Sequence, residues 1–268
     1  MLESAVFKNE NTIDEYISEL YHKYGKLIYN LAYQMTGNRE TAEDITHETY
    51  IQVLKNIHNF RGESSPYTWM YAIAKNICLQ QLNQAKKRSF QAIEGLIQTA
   101  SAQPEPEHFS ASEKQYYINQ VKNGCLLGLL RCLSFNQRVA FILHILNGVT
   151  IRTVSEIMNK SENSVRILIM RAKRNLKAFL CSNCSLYDER NKCKCENLIL
   201  FSLKNNWIQK YNPSVQPYMI ETELKIFKDE IALYKTIPYY ELSAKLKEKI
   251  LSIRDTKSFY IFSEKKVK

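Results

Sequence analysis

The sequence is poor in the residues that interrupt helices, with only seven glycines and six prolines among 268 residues. Such a composition favours helices joined by short turns, and the length allows two or three compact modules. No run of about 18 consecutive apolar residues is present, so we expect no membrane span. The first residues, MLESAVFKNENTIDEY, lack the basic start and apolar run of a signal peptide. We therefore expect an all-α, cytoplasmic protein.

Recognisable catalytic motifs are also missing. The sequence has no phosphate-binding loop, no H-E-x-x-H segment and no evident pair of nucleophile and base. Its five histidines are scattered along the chain. We expect a protein that acts by binding and is not an enzyme. A net charge of +10 and a pI of about 9.1 point to a polyanionic partner.

Helical periodicity dominates two modules of the chain. In the first, residues 10–88, apolar residues recur at three- and four-residue steps from Ile17 to Met35. Gly37 should end this first helix, a second helix should cover about residues 40–57, and Pro66 should begin a third, with Ser65 as its N-cap. Residues 89–112 contain a Pro-x-Pro segment and small polar residues, which predict a flexible linker.

The second module, residues 113–180, contains a helix-turn-helix pattern. Ser134 and Gln137 form a capping-box pair, Gly148 should stop that helix, and Thr150 and Ser161 can cap the next two. The last of these helices has no acidic residue after Glu162 and several cations, so it suits a DNA major groove better than a merely solvated face. We expect its DNA contacts to be Asn163, Ser164, Arg166, Arg171, Lys173 and Arg174.

Two blocks of the sequence resemble one protein family. The segment LSFNQRVAFILHILNGVTIRTVSEIMNKSENSVRILIMRAKRNL is similar to region 4 of the extracytoplasmic-function sigma factors of bacterial RNA polymerase. The segment YGKLIYNLAYQMTGNRETAEDITHETYIQVLKNIHNFRGESSPYTWMYAIAKN resembles their region 2. The resemblance implies a sigma factor that binds the clamp and flap of core polymerase. It would recognise −35 and −10 promoter DNA and promote melting, with an anti-sigma factor as a further candidate partner.

The resemblance also implies site residues in region 2. In the family its second helix binds a basic coiled coil in the polymerase clamp, which assigns core binding here to Asp44, Glu48 and Glu40. The third helix and the loop before it resemble the promoter-melting element, with Trp69 alternatively a core anchor. This assigns −10 DNA binding and melting to Phe60, Arg61, Tyr67, Trp69, Lys75 and Asn76.

The chain departs from the family pattern in both regions, and in region 2 Pro66 stands where an aromatic residue is usual and Tyr67 where a basic one is. His47 replaces a glutamine in region 2. In region 4, Ile167 and Leu168 stand where serine and arginine are usual. Since apolar side chains cannot donate hydrogen bonds, this face either contacts thymine methyl groups or packs against another surface.

Four cysteines follow the basic helix in the pattern C-x2-C-x8-C-x-C. Four thiolates at this spacing can surround a tetrahedral zinc ion, so we predict a metal site at Cys181, Cys184, Cys193 and Cys195. The alternatives are a softer ion such as Cu(I), a redox dithiol switch or unconnected surface thiols. Residues 181–262 form a Cys-rich helical extension that resembles regulatory tails on some of these sigma factors.

Cys78, Cys125 and Cys132 lie in apolar helical patterns and are expected to fill cores. Two functional alternatives stay open. One is a metal- or thiol-responsive helix-turn-helix regulator that acts without polymerase, and the other is an anti-sigma-like interaction protein. Both leave the region 2 pattern without a use.

Overall fold

The computed structural model describes residues 10–57, 60–83, 89–100, 109–212 and 229–253. All secondary-structure elements of three or more residues in these ranges are helices, which confirms the all-α prediction. No helix in these ranges is long and apolar enough to cross a membrane. The α-helices are α1 (Glu10–Thr36), α2 (Arg39–Asn56), α3 (Pro66–Asn83), α4 (Phe90–Ala100), α5 (Ala111–Leu130), α6 (Phe135–Phe141), α7 (Ile151–Met158), α8 (Glu162–Asn183), α9 (Ile199–Lys204), α10 (Glu230–Tyr234) and α11 (Ala244–Leu251).

The chain divides into two compact units. Unit 1 comprises residues 1–84, 156–159 and 240–268, and unit 2 comprises residues 85–155 and 160–239. This division differs from the predicted sequence of two modules and a separate extension. Of the C-terminal residues that the structure describes, 181–212 and 229–239 belong to unit 2 and 240–253 to unit 1, and each group buries apolar side chains there.

Unit 1 is built on α1, α2 and α3, which pack around a common core. The fully buried Tyr50 of α2 donates from its hydroxyl group to the Leu20 carbonyl of α1 at 3.1 Å. Gly37, with φ of +68°, ends α1 as predicted. Ser65 caps α3 by accepting from the backbone N–H of Thr68 at 3.1 Å. Other core residues are Ile28, Leu31, Met35, Ile45, Ile57 and Met70.

The short helix α11 also belongs to unit 1. Ser243 is its N-cap and accepts from the backbone N–H of Leu246 at 3.1 Å. Leu246, Ile250 and Ile253, which recur at three- and four-residue spacing, are buried, so the apolar side of this helix faces the unit. The sequence indicated the helix but not the surface that it covers.

Unit 2 contains the helix-turn-helix and its supporting helices. The predicted capping box of Ser134 and Gln137 opens α6, and a π-helical turn, Ile142–Leu146, continues it. Gly148 follows with φ of +70°. Thr150 and Ser161 cap α7 and α8 through backbone N–H groups three residues on. These local predictions are confirmed because each cap depends on only four neighbouring residues.

A helix occupies part of the segment predicted as a flexible linker. Within residues 89–112, α4 runs over Phe90–Ala100 and buries Ile93 and Ala100. Its Phe90 ring lies 5.7 Å from that of Phe179 in α8. Apolar residues at helical spacing explain the helix, whereas the linker prediction gave weight to the later Pro-x-Pro segment. That segment lies outside the described residues.

The Cys-rich segment packs against α5 within unit 2. Leu198, Ile199 and Ile208 share an apolar cluster with Ala100 and with residues of α5. Two hydrogen bonds join the side-chain amide of Gln120 to the backbone of Gln209, at 2.9 and 3.0 Å. Helix α10 is held likewise, since the buried ring of Tyr234 meets that of Phe141. Residues 181–212 and 229–239 of the extension are therefore structurally part of the region 4 unit.

Candidate nucleic-acid and partner-binding surfaces

The acidic residues predicted to bind core polymerase lie on α2. Asp44 and Glu48 are four residues apart and therefore lie on one side of the helix. The Asp44 side chain is 71% exposed. Glu48 is half-buried and accepts from the Gln52 side-chain amide at 2.7 Å. Glu40 is exposed in the first turn. We call Glu40, Glu43, Asp44 and Glu48 the acidic face.

Part of the acidic face is already contacted by the C-terminal residues of unit 1. The Lys249 ammonium lies 3.6 Å from the Asp44 carboxylate. The Ser243 hydroxyl donates to the Glu43 carboxylate at 2.9 Å. Between them, half-buried His47 has a pKa lowered by burial and then by the charge of Lys249. No sequence signal pointed to these contacts, because the partners lie about 200 residues apart.

The loop before α3 is closed by an aromatic pair. The rings of Phe60 and Trp69 lie 4.8 Å apart with 31° between their planes, and both side chains are half-buried. Gly62, with φ of +70°, turns the chain between them. Arg61 is highly exposed and lies 3.9 Å from Glu63. The structure thus supports Trp69 as an anchor of the loop and leaves the Arg61 guanidinium accessible.

The other residues predicted for −10 DNA differ in accessibility. Tyr67 is half-buried, its ring lies 4.6 Å from that of Tyr71, and burial raises its pKa. The half-buried Lys75 donates to the Ile157 carbonyl at 3.0 Å. Asn76 is exposed. Arg61 and Asn76 are consequently the most accessible of the predicted −10 contacts.

Helix α8 exposes the residues predicted to read DNA. Asn163, Ser164 and Arg166 are exposed in its first turns, while Val165 and Ile169 are buried against unit 2. The alternation follows helical spacing, so one side anchors the helix and the other side is free to enter a groove. Arg166 also pairs with Glu162 at 3.2 Å, four residues before it.

The next turns of α8 combine cationic and apolar groups. Arg171 and Arg174 are exposed, and Lys173 lies 4.0 Å from Glu230 of α10. Ile167 is 37% exposed and Met170 is 58% exposed. A shallow groove of about 310 Å³ is lined by His144, Ile151, Arg166, Ile169, Met170 and Lys173. The sequence prediction missed Met170, although its position one turn from Arg166 places it on the same side.

Of the four cysteines of the extension, Cys184, Cys193 and Cys195 lie within electrostatic reach of one another. Cys184 and Cys193 are free thiols whose backbones pair in an isolated parallel β-bridge. The Ser185 N–H donates to the Cys193 carbonyl at 3.1 Å. Cys181 is exposed and its side chain hydrogen-bonds with Tyr187. Asn191 fixes the loop by donating to the carbonyls of Leu180, Cys181 and Cys184.

Cys125 of α5, which we expected to fill a core, is within electrostatic reach of Cys184, Cys193 and Cys195. Burial, followed by the charge of neighbouring thiols, raises the pKa of Cys125 and Cys195 and brings that of Cys193 to about 12. Lys122 is buried beside Cys195. These thiols are therefore protonated near neutral pH unless a metal ion binds them.

Among the residues that the structure describes, no group of three or more His, Cys, Asp or Glu side chains is arranged to hold a metal ion. Zinc binding at Cys181, Cys184, Cys193 and Cys195 stays a prediction.

Comparisons with known proteins match the segments of the chain that contain α2, α3 and most of α8. The Sigma-70 region 2 family matches residues 20–88, and the Sigma-70 region 4 family matches residues 123–176. The chain is 31% identical over 164 residues to RNA polymerase sigma factor YlaC of Bacillus subtilis, covering 60% of this chain and 90% of that protein. It is 29% identical over 165 residues to ECF RNA polymerase sigma factor SigM of the same organism, covering 60% and 93%.

A solved structure of the sigma factor RpoE in complex with the anti-sigma factor NepR from Bartonella quintana is also similar. It has a TM-score of 0.42 and 16% identity, and covers 61% of this chain and 96% of that chain.

The helical units, the exposed basic helix and the two matched regions define a sigma factor of RNA polymerase. Within that class, the chain belongs to the extracytoplasmic-function family.

Proposed function

We propose that this sigma factor binds core polymerase through the acidic face of α2 and selects promoters with α8. The observation that carries the proposal is the separation of charge. A protein of net charge +10 concentrates carboxylates on one side of α2, while α8 has no acidic residue between Glu162 and its end. Such opposite surfaces suit a basic protein partner and polyanionic DNA respectively. The basic partner of α2 would be the coiled coil in the polymerase clamp, and region 4 would lie near the flap.

At the −35 element, we infer that the first turns of α8 enter the major groove. Asn163, Ser164 and Arg166 would face base edges, because they are exposed at the N-terminal end of the helix. Arg171, Lys173 and Arg174 would meet phosphates and fix the register. Exposed Ile167 and Met170 offer apolar contacts that suit thymine methyl groups.

At the −10 element, we infer that the loop before α3 assists strand separation. An unstacked base needs a surface on which to stack, and the Phe60–Trp69 pair supplies a partly exposed aromatic one. Arg61 and Asn76 would hold the backbone or edge of the displaced strand, with Lys75 and Tyr67 beside them. These residues act by binding, since sigma factors are initiation factors and not enzymes.

Reconstituted transcription with core polymerase on promoter fragments tests this function. We expect core polymerase to start at a specific site only when this chain is added, with unpaired thymines detectable by permanganate near the start. Binding to closed duplexes without any association with core polymerase would overturn the proposal and favour an ordinary helix-turn-helix regulator. Cytoplasmic location and an anti-sigma partner follow as expectations from the same function.

A further inference from the structure

We infer that residues 240–253, here called the C-terminal strap, cover part of the acidic face of α2 and must leave it before core polymerase binds. The inference rests on the proposed function, which assigns that face to polymerase. The strap and α1–α3 lie in the same compact unit. Three sets of contacts fasten it there.

The first fastening is at Tyr240. Its backbone N–H donates to the side-chain carbonyl of Asn30, and its carbonyl accepts from the Asn30 amide, both at 2.8 Å. Asn30 is fully buried in α1, and the strap supplies these two hydrogen bonds in addition to the one that the Asn30 amide donates to the Lys26 carbonyl. The Tyr240 ring meets the Tyr33 ring at 4.8 Å, and the Arg39 guanidinium lies 4.9 Å from its centre.

The second fastening is beside Gly25. A Cβ atom at Gly25 would lie 3.0 Å from the Leu242 side chain, which shows how closely the strap approaches α1. Glycine is unfavourable inside a helix, and here its missing side chain makes room for Leu242. Next to it, Lys26 forms an ion pair with Glu241.

The third fastening lies on the acidic face itself. Leu246 and Ile250 of α11 are each only 1% exposed. Ser243 donates to Glu43, and Lys249 lies beside Asp44 at 3.6 Å. The strap therefore offers α2 a hydroxyl donor and an ammonium group, the chemistry that a basic polymerase surface would also offer. Because both cannot use these carboxylates at once, strap and polymerase compete.

The size of the strap makes this competition reversible. Helix α11 has only eight residues, and a helix this short is unstable unless it is docked. Covalent attachment keeps the strap at a high effective concentration, so it rebinds rapidly. The apparent affinity for core polymerase should then fall in proportion to the fraction of molecules with the strap detached.

Variants of the full chain test the strap. Leu246→Asp combined with Ile250→Asp places carboxylates in the buried side of α11, and we expect about tenfold tighter binding to core polymerase. Leu251→Asp is the matched control, because Leu251 is on the same helix but 43% exposed, and it should bind as the wild type does. Lys249→Glu, a milder change at an exposed position, should tighten binding about threefold if the double variant proves unstable.

Hydrogen exchange gives a direct readout in the wild-type chain. Amides of α11 should exchange faster when core polymerase is added, because the strap leaves the acidic face. Unchanged or stronger protection of α11 in that complex would overturn the inference. So would wild-type affinity in both the double variant and Lys249→Glu.

Glu48→Lys distinguishes the proposal that α2 binds core polymerase from the proposal that the strap competes for α2. Glu48 is on the acidic face but has no contact with the strap among those described. If it weakens core binding while strap variants change nothing, the strap proposal fails and the proposed function stands. If core binding is unaffected by Glu48→Lys in both wild-type and strap-variant backgrounds, the assignment of α2 to polymerase fails.

Discussion

The two helices assigned to binding differ in what surrounds them. On α8, the residues that would read DNA are exposed except for the half-buried Lys173, and the ion pairs described for them join Arg166 to Glu162 and Lys173 to Glu230. On α2, the acidic face already has a lysine beside Asp44 and a hydroxyl donor to Glu43, both from the segment in which Leu246 and Ile250 are buried. Part of the polymerase-binding surface therefore already has partners within the chain. Control of activity is then expected at the step of binding to polymerase.

The largest expected effect comes from reversing a charge on the acidic face. Glu48→Lys should weaken core binding about a hundredfold or more, because like charges placed together cost several kcal/mol. Glu189→Lys makes the same change at an exposed position of unit 2 and should leave core binding unaltered. Affinity can be measured with fluorescently labelled protein and core polymerase. Equal losses in both variants would indicate a general charge effect and not a specific α2 contact.

A second test compares two cations of α8. Arg166→Ala should cost about 1–3 kcal/mol on a cognate −35 site and relax discrimination at one base pair. Arg171→Ala should weaken binding about equally on all sequences, since Arg171 is assigned a phosphate contact and such a contact carries no sequence information. Competition with single-base variants of the promoter distinguishes them. If Arg166→Ala lowers affinity equally for all promoter sequences, Arg166 contacts the DNA phosphate backbone. Its assignment to a base edge is then wrong.

These two surfaces also show what could be predicted from the sequence. The caps at Ser65, Ser134 and Ser161 depend on residues three positions apart, so their patterns identify them directly. The contact of Asn30 with Tyr240 joins residues 210 positions apart, and neither residue carries a local sign of its partner. The candidate site residues on α2 and α8 come from motif and spacing and stay predictions, whereas the contacts of the strap with α2 could be found only from the fold.

The cysteines of the extension also differ in the fold in ways that their sequence spacing does not show. The sequence pattern treats Cys181 and Cys193 alike, but Cys181 is exposed and Cys193 lies near Cys184 and Cys195. We expect Cys193→Ser to reduce any bound zinc at least severalfold and Cys181→Ser to reduce it little. Metal content of the purified chain measures this directly.

We expect promoter-dependent transcription to change when a metal bound by these cysteines is removed. Chelation or Cys184→Ser should change promoter-dependent transcription more than core binding, because the cysteines follow α8 in the chain. Unchanged transcription after replacement of all four predicted ligands would leave the cluster without a role in promoter selection.

The smallest expected effect is a dependence of the strap on pH through His47. Asp44, Glu48 and Lys249 face this imidazole, and burial together with the Lys249 charge holds its pKa below the ordinary value of 6.5. With the strap detached, the pKa should return towards that value. Detached molecules therefore bind the proton more readily, and docking should be strongest above pH 6.5 and weaken as the pH falls below it.

We expect the fraction of molecules with the strap detached to rise about twofold between neutral and mildly acidic pH, because only the pKa of His47 changes and only in part. The ratio of α11 amide exchange in the wild type to that in His47→Gln measures it, because intrinsic exchange cancels between the two chains. The ratio should increase as the pH falls. A ratio that stays constant would mean that His47 does not sense the strap and that docking depends on the ion pair and apolar contacts alone.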